Sequence, residues 1–145
     1  MADSGAFERD TAVRRLAGAT AVTRDGEVVF AAEVSPAWRA GRGPHGGYVA
    51  AIVLRALIEA LDDAARAPRS LTIHYPRAPT PGPVQIRVVR ERHGRSLSTL
   101  SARMEQDGAP VALALARLLT ALGRHRHSRA AAARRGAARS RARDA

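Results

Sequence analysis

The segment Gly41-Arg42-Gly43-Pro44-His45-Gly46-Gly47 concentrates residues that let a backbone approach a reacting carbonyl or phosphate. Its glycines fit G-x-G-x-x-G at Gly41, Gly43 and Gly46, and Asp62 follows at about the spacing of a ribose-binding acid. The surroundings oppose a dinucleotide fold. No buried strand leads into the motif, and the strands after it are separated by hairpin signals, not crossovers. A Walker loop is excluded as well, because no Gly-Lys-Ser/Thr closes the segment. What remains is the physics of a helix start. Gly46 and Gly47 open an apolar helix, where the first N–H groups lack intrahelical acceptors and the dipole is positive. Without side chains they admit a carbonyl oxygen. The backbone N–H groups of Gly46 and Gly47 are therefore a candidate oxyanion site for acyl transfer, with His45 as an orienting group. The competing reading gives these glycines a packing role only, bringing the helix close to a sheet.

Other chemistries are poorly supplied. The chain has no cysteine, which excludes a thiol nucleophile, disulfides and Cys-based metal sites. No G-x-S-x-G elbow occurs, so a serine hydrolase is not expected. Ser96, Ser98, Thr99 and Ser101 read as ordinary strand residues, and His74 as a sheet residue. His125 and His127 alone do not make a metal site. No cofactor and no metal are expected.

The elements that must position Gly46 and Gly47 follow from periodicity. Ala19 to Thr23 reads as a short strand after a weakly patterned lead-in, and Arg24-Asp25-Gly26-Glu27 as a tight turn. Val28 to Val34 is the return strand, stopped by Ser35-Pro36. From Tyr48 onward Val49, Ile52, Val53, Ala56, Leu57, Ala60 and Leu61 recur at helical spacing. Ala50, Ala51, Leu54 and Ile58 make the other faces apolar too, as expected of a helix wrapped by a sheet. Arg55 and Glu59, four apart, read as an exposed pair. Strands are then expected at Leu71–Tyr75, Val84–Arg90, Ser96–Met104 and Val111–Leu119, with turns at Pro79-Thr80-Pro81-Gly82, His93-Gly94 and Gln106-Asp107-Gly108. The last segment is open between strand and helix, since Ala and Leu favour helix and the meander favours strand. The order is hairpin, buried helix, antiparallel meander: an α+β layout.

The 145 residues suffice for one domain, read as 1–122. No apolar run is long enough for a membrane helix, and the polar start MADSGAFERD has no secretory h-region, so a cytoplasmic protein without membrane contact is expected. All 24 basic residues are Arg, and Lys and Asn are absent, as coding from a GC-rich gene would give. The net charge of +11 is concentrated at one end, where residues 123–145 hold eight Arg and one acid, Asp144. That Ala/Arg segment lacks apolar periodicity and is expected to be a disordered tail, read out of frame after Leu122.

His45-Gly46-Gly47-Tyr48 opening a long apolar helix, Ser70-Leu71-Thr72-Ile73-His74-Tyr75-Pro76-Arg77-Ala78-Pro79, Gly94-Arg95-Ser96 and Gln106-Asp107-Gly108 occur in one order and spacing. Together they resemble the N-terminal half of TesB-like acyl-CoA thioesterases, over about Phe7 to Leu122. The resemblance implies the hot-dog fold, an antiparallel sheet wrapped around one long central helix. It implies an acyl-CoA or acyl-carrier thioester as ligand and assembly into homo-oligomers. It also makes Tyr48, Trp38, Arg95 and Ser96 candidate substrate contacts beside His45, Gly46 and Gly47. Related single-domain thioesterases of the PaaI kind place an acid seven residues after the second glycine of His-Gly-Gly. Here that position is Leu54. Glu59, Asp62 and Asp63 lie a turn or more beyond it.

Two further readings stand beside a thioester hydrolase. The missing acid favours a catalytically inactive hot-dog domain for binding or dimerisation. The basic tail allows nonspecific, salt-sensitive contact with nucleic acid, though it has no aromatic residue to stack bases.

Overall fold

The computed structural model describes residues 5–16 and 26–121. The expected strand at Ala19–Thr23 and the basic tail lie outside these residues. Within the lead-in, α1 (Ala6–Asp10) and β1 (Val13–Arg15) form where little pattern is visible. β2 (Glu27–Val34) pairs antiparallel with β1, Val13 facing Ala32. A small hairpin of β3 (Arg39–Ala40) and β4 (Gly43–Pro44) precedes α2 (Gly46–Leu61). Four long strands follow: β5 (Arg66–His74), β6 (Gly82–His93), β7 (Leu97–Gln106) and β8 (Ala109–Thr120).

The main sheet has six antiparallel strands in the order β1-β2-β6-β7-β8-β5, and α2 touches every one of them. The helical stripe read from the sequence is the buried face: Val49, Ile52, Val53, Ala56, Leu57, Ala60 and Leu61, joined by Tyr48. They pack on Phe30, Ile86, Val88, Leu100, Met104 and Leu118. Ala50, Ala51 and Leu54 are half-buried and Ile58 is 41% exposed, so the apolar outer face of α2 is not covered by this chain's described residues. Arg55 and Glu59 form no ion pair there; the Glu59 carbonyl instead accepts from Arg15 Nη2 at 2.9 Å.

The ambiguous last segment is strand. Ala114, Ala116 and Leu118 face the helix while Leu115 and Arg117 face outward, and hydrogen-bonded neighbours on both sides override the helix propensity of Ala and Leu. Only β6, β7 and β8 form a meander. Pro79-Thr80-Pro81-Gly82 does not close a hairpin, because β5 lies at the sheet edge beside β8 and residues 75–81 cross to β6. β5 also starts before the expected Leu71. Pro68 is tolerated inside it because an edge strand leaves one side unbonded, and a bulge falls between Pro68 and Ser70. At the β7–β8 turn Asp107 (φ 52°) and Gly108 (φ 76°) are both left-handed, the backbone that a two-residue Asp-Gly hairpin requires.

Candidate active site

His45 is the N-cap of α2, and its Nδ1 accepts the Gly47 N–H at 3.0 Å. The ring lies so close that a Cβ on Gly47 would meet it at 3.1 Å. The helix start is thus partly self-capped. Gly47 is a glycine because its neighbour's imidazole sits over it, a reason the sequence does not display. The Gly46 N–H has no acceptor among the described residues, and the Gly46 carbonyl accepts the Tyr75 hydroxyl at 2.6 Å. Burial raises the Tyr75 pKa above 10.0, which keeps the phenol a donor at neutral pH. Replacing His45 with Ala is expected to cost about 1 kcal/mol in urea denaturation, the usual loss for an N-cap acceptor.

Beside the capped helix start an open apolar groove of about 500 Å³ is lined by Phe7, Trp38, Arg39, His45, Gly47 and Tyr48. Its aromatic wall is built in depth. Phe7 meets Trp38 edge-on at 5.3 Å, and Trp38 stacks on Tyr48 at 5.7 Å and 19°. Trp38 Nε1 donates to Asp10 Oδ2 at 2.9 Å. Tyr48 is buried; its hydroxyl donates to the Asp10 carbonyl at 2.8 Å and accepts the Ser35 N–H at 2.9 Å. Tyr48 therefore holds the groove rather than offering a free hydroxyl to it. Tyr48→Phe leaves the Ser35 N–H and the Asp10 carbonyl unanswered, with an expected loss of about 1–2 kcal/mol in chemical denaturation. Burial also raises the Tyr48 pKa above 10.0, partly offset by the Ser35 N–H. A raised folded-state pKa gives stability that is complete below the unfolded value and is lost as pH rises through the folded one, so stability should fall above about pH 10.

Four of the expected groups, Trp38, His45, Gly47 and Tyr48, meet at this groove. Arg95 and Ser96 do not. They lie in the β6–β7 turn, where Arg66 donates to the Gly94 and Arg95 carbonyls at 2.8 and 3.1 Å and Thr120 N–H donates to the Ser96 carbonyl at 2.9 Å. Arg66 follows the C-terminus of α2, and a 16-residue helix spans about 24 Å, so Arg95 and Ser96 sit at its opposite end. Asp62 caps that end in a left-handed conformation, and Asp63 bonds Arg66 at 2.9 Å. Both acids are tied to structure far from the groove. Phe7, Asp10 and Tyr75 are the groove neighbours that sequence reading missed, since α1 and β5 reach the helix start only through the fold. Among the described residues no group of three or more His, Cys, Asp or Glu could hold a metal ion, and no helix is long and apolar enough to cross a membrane.

A family model for the acyl-CoA thioesterase N-terminal domain matches residues 34–119. The chain belongs to that family. The likeness of this thioesterase-family domain to solved structures is to hot-dog proteins. The phenylacetic acid degradation protein PaaI from Thermus thermophilus, a point mutant, is 24% identical over 79% of this chain and 97% of its own, with a TM-score of 0.66. A hypothetical thioesterase protein solved with coenzyme A, from Streptococcus pneumoniae, is 18% identical over 79% of this chain and 93% of its own, at 0.63. A thioesterase II candidate from Thermobifida fusca is 21% identical over 86% of this chain but 42% of its own, at 0.67. At these identities the structures show the fold, an antiparallel sheet with one helix packed on it. No curated protein matches the thioesterase-family domain.

Proposed function

We propose that the domain binds an acyl-CoA thioester in the groove beside α2 and, as a single copy, hydrolyses it poorly. The observation that carries this is the meeting of an apolar, aromatic-walled groove with a helix start whose Gly46 N–H is unanswered among the described residues. An acyl chain suits Phe7 and Trp38, and the thioester oxygen suits the N–H groups of Gly46 and Gly47 once the His45 ring moves off the latter. Among the described residues no carboxylate lines the groove. The Asp10 carboxylate, behind the Trp38 wall, is engaged by Trp38 Nε1. His45 lines the groove, but its Nδ1 is taken by the Gly47 N–H, which leaves the neutral ring a donor at Nε2. Hydrolysis therefore lacks a carboxylate base or nucleophile and a free imidazole among the described groove residues.

Leu54 shows what completion would take. It lies seven residues after Gly47, hence on the same face of α2 but about 10.5 Å further along the axis. An acid there could not touch a carbonyl held at its own helix start. It could do so on a second helix laid alongside, so the reading calls for a second hot-dog unit against the outer face of α2. The chain has one tryptophan, Trp38, in the groove wall, which makes binding directly visible. Titration with an acyl-CoA should give saturable change in Trp38 fluorescence with little thiol release. An unresponsive Trp38 would sink the binding reading. Rapid thiol release would sink the inactivity reading and send attention to Asp10.

A second reading, a non-catalytic domain for dimerisation, is favoured by the uncovered stripe of Ala50, Ala51, Leu54 and Ile58. Sedimentation at micromolar concentration should show a dimer, and Ile58→Arg should shift it to monomer, because a charge would be buried unpaired at the interface. A wild-type monomer at those concentrations overturns it.

A further inference from the structure

We propose that Arg39 and Arg42 form a phosphate-binding cleft continuous with the apolar groove, so that the domain grips its ligand by an anionic, nucleotide-bearing end as well as by its acyl end. The inference rests on the thioester reading above and deepens it. A cleft of about 170 Å³ lies between the β3–β4 hairpin and the loop 79–81, lined by Ser35, Arg39, Arg42, Pro44 and Thr80 among others, with no acid among the described residues of its walls. Arg39 lines this cleft and the apolar groove alike, so the two spaces share a wall. Arg9, Arg66, Arg87 and Arg103 each pair with a carboxylate, whereas Arg39 and Arg42 pair with none among the described residues. Two exposed guanidinium groups facing one cleft are thus left uncompensated, and planar bidentate donors of this kind match phosphate oxygens.

The cleft is also firmly built. Gly43 lies against the 78–81 segment so closely that a Cβ there would meet the Ala78 Cβ at 3.1 Å. Gln106 pins the other wall: its Oε1 accepts the Thr80 N–H at 2.8 Å and its Nε2 donates to the Thr80 carbonyl at 2.9 Å. At the hairpin tip Gly41 has φ +67°, which lets the turn place Arg42 beside Arg39. An amphipathic thioester would then lie with its acyl arm against Phe7 and Trp38 and its phosphates beyond Arg39.

The test uses the full chain and three probes: coenzyme A, pantetheine (the same thiol arm without phosphates) and inorganic pyrophosphate. Binding is followed by Trp38 fluorescence, which does not report anions held by the basic segment at 123–145 unless they perturb the groove. Coenzyme A is expected to bind on the order of tenfold tighter than pantetheine, and pyrophosphate to compete with the former but not the latter. The double variant Arg39→Gln/Arg42→Gln should erase the difference. Arg69→Gln/Arg117→Gln, an equal charge change on exposed positions of β5 and β8, should keep it. Should the first double variant misfold by circular dichroism, Arg42→Gln alone at the hairpin tip should still weaken coenzyme A a few-fold. Wild-type affinity in the Arg39/Arg42 variants, or equal losses in both doubles, overturns the cleft. Pyrophosphate alone binding in an Arg39/Arg42-dependent way would keep a free-phosphate site but remove the nucleotide thioester. If coenzyme A binds through the two arginines while pantetheine and its acyl thioesters leave Trp38 unchanged, the acyl-groove reading fails and the cleft stands.

Discussion

Leu54→Asp is expected to raise acyl-CoA hydrolysis about a hundredfold over the wild-type chain, and to do so only in the self-associated protein. A positioned general base contributes on the order of 10²–10⁴-fold, and no carboxylate among the described residues lines the present groove. Leu54 is half-buried on the outer face of α2. In the dimer the acid would face the partner's helix start, whose free N–H groups and positive dipole favour its ionised form, unlike a cation at Ile58. The stability cost should be about 1 kcal/mol, from lost apolar cover and the lower helix propensity of Asp. Leu54→Asn separates shape from chemistry: it should associate similarly and remain inactive. Activity proportional to the dimer fraction would support completion of the site across two helices. A folded, dimeric Leu54→Asp protein with wild-type turnover would show that the helix starts and position 54 do not converge.

Arg66→Ala should cost about 3 kcal/mol, from several largely buried hydrogen bonds at about 1 kcal/mol each. The side chain is 6% exposed and gives four kinds of support at once. It donates to Ser98 Oγ at 2.7 Å, to the Gly94 and Arg95 carbonyls, and to Asp63 Oδ2. Ser98 is fully buried and also bonds His93 Nδ1 at 2.9 Å. Removing the guanidinium leaves two part-buried carbonyls unanswered and takes one of the two partners of the buried Ser98 hydroxyl, while Asp63, about a third exposed, is left to water. Arg66→Lys, able to satisfy only part of that set, should recover roughly half the loss. Urea midpoints compared at constant m-value measure both. A loss below about 1 kcal/mol for Arg66→Ala would mean that the β6–β7 turn holds its shape without it.

Much of the site was legible because periodicity and helix-end chemistry are local. The buried stripe from Val49 to Leu61, the glycines at the helix start and the Asp107-Gly108 turn all rest on residues near one another in the chain. What stayed hidden depends on strand order. Nothing near β5 says that it will pair with β8 rather than β6, and that choice carries Tyr75 to the Gly46 carbonyl and leaves Arg95 and Ser96 at the far end of α2. The short α1 and β1 gave too little pattern to read, so Phe7 and Asp10 were missing from the groove. The occupation of the Gly47 N–H by His45 is a side-chain geometry that no spacing reveals.

The placement of β5 also sets the timing of folding. Arg66 pairs with Thr120 and His74 with Leu113, so β5 has no main-chain partner until the far end of the domain is present. During synthesis β1, β2, α2 and β6 can meet early, while β5 waits as an unpaired edge with α2 still partly wet. Such long-range closure slows folding and lengthens exposure to misassociation. Pro68 and the bulge beside it interrupt that waiting strand, and so act as a safeguard for the nascent chain before they matter to the finished one.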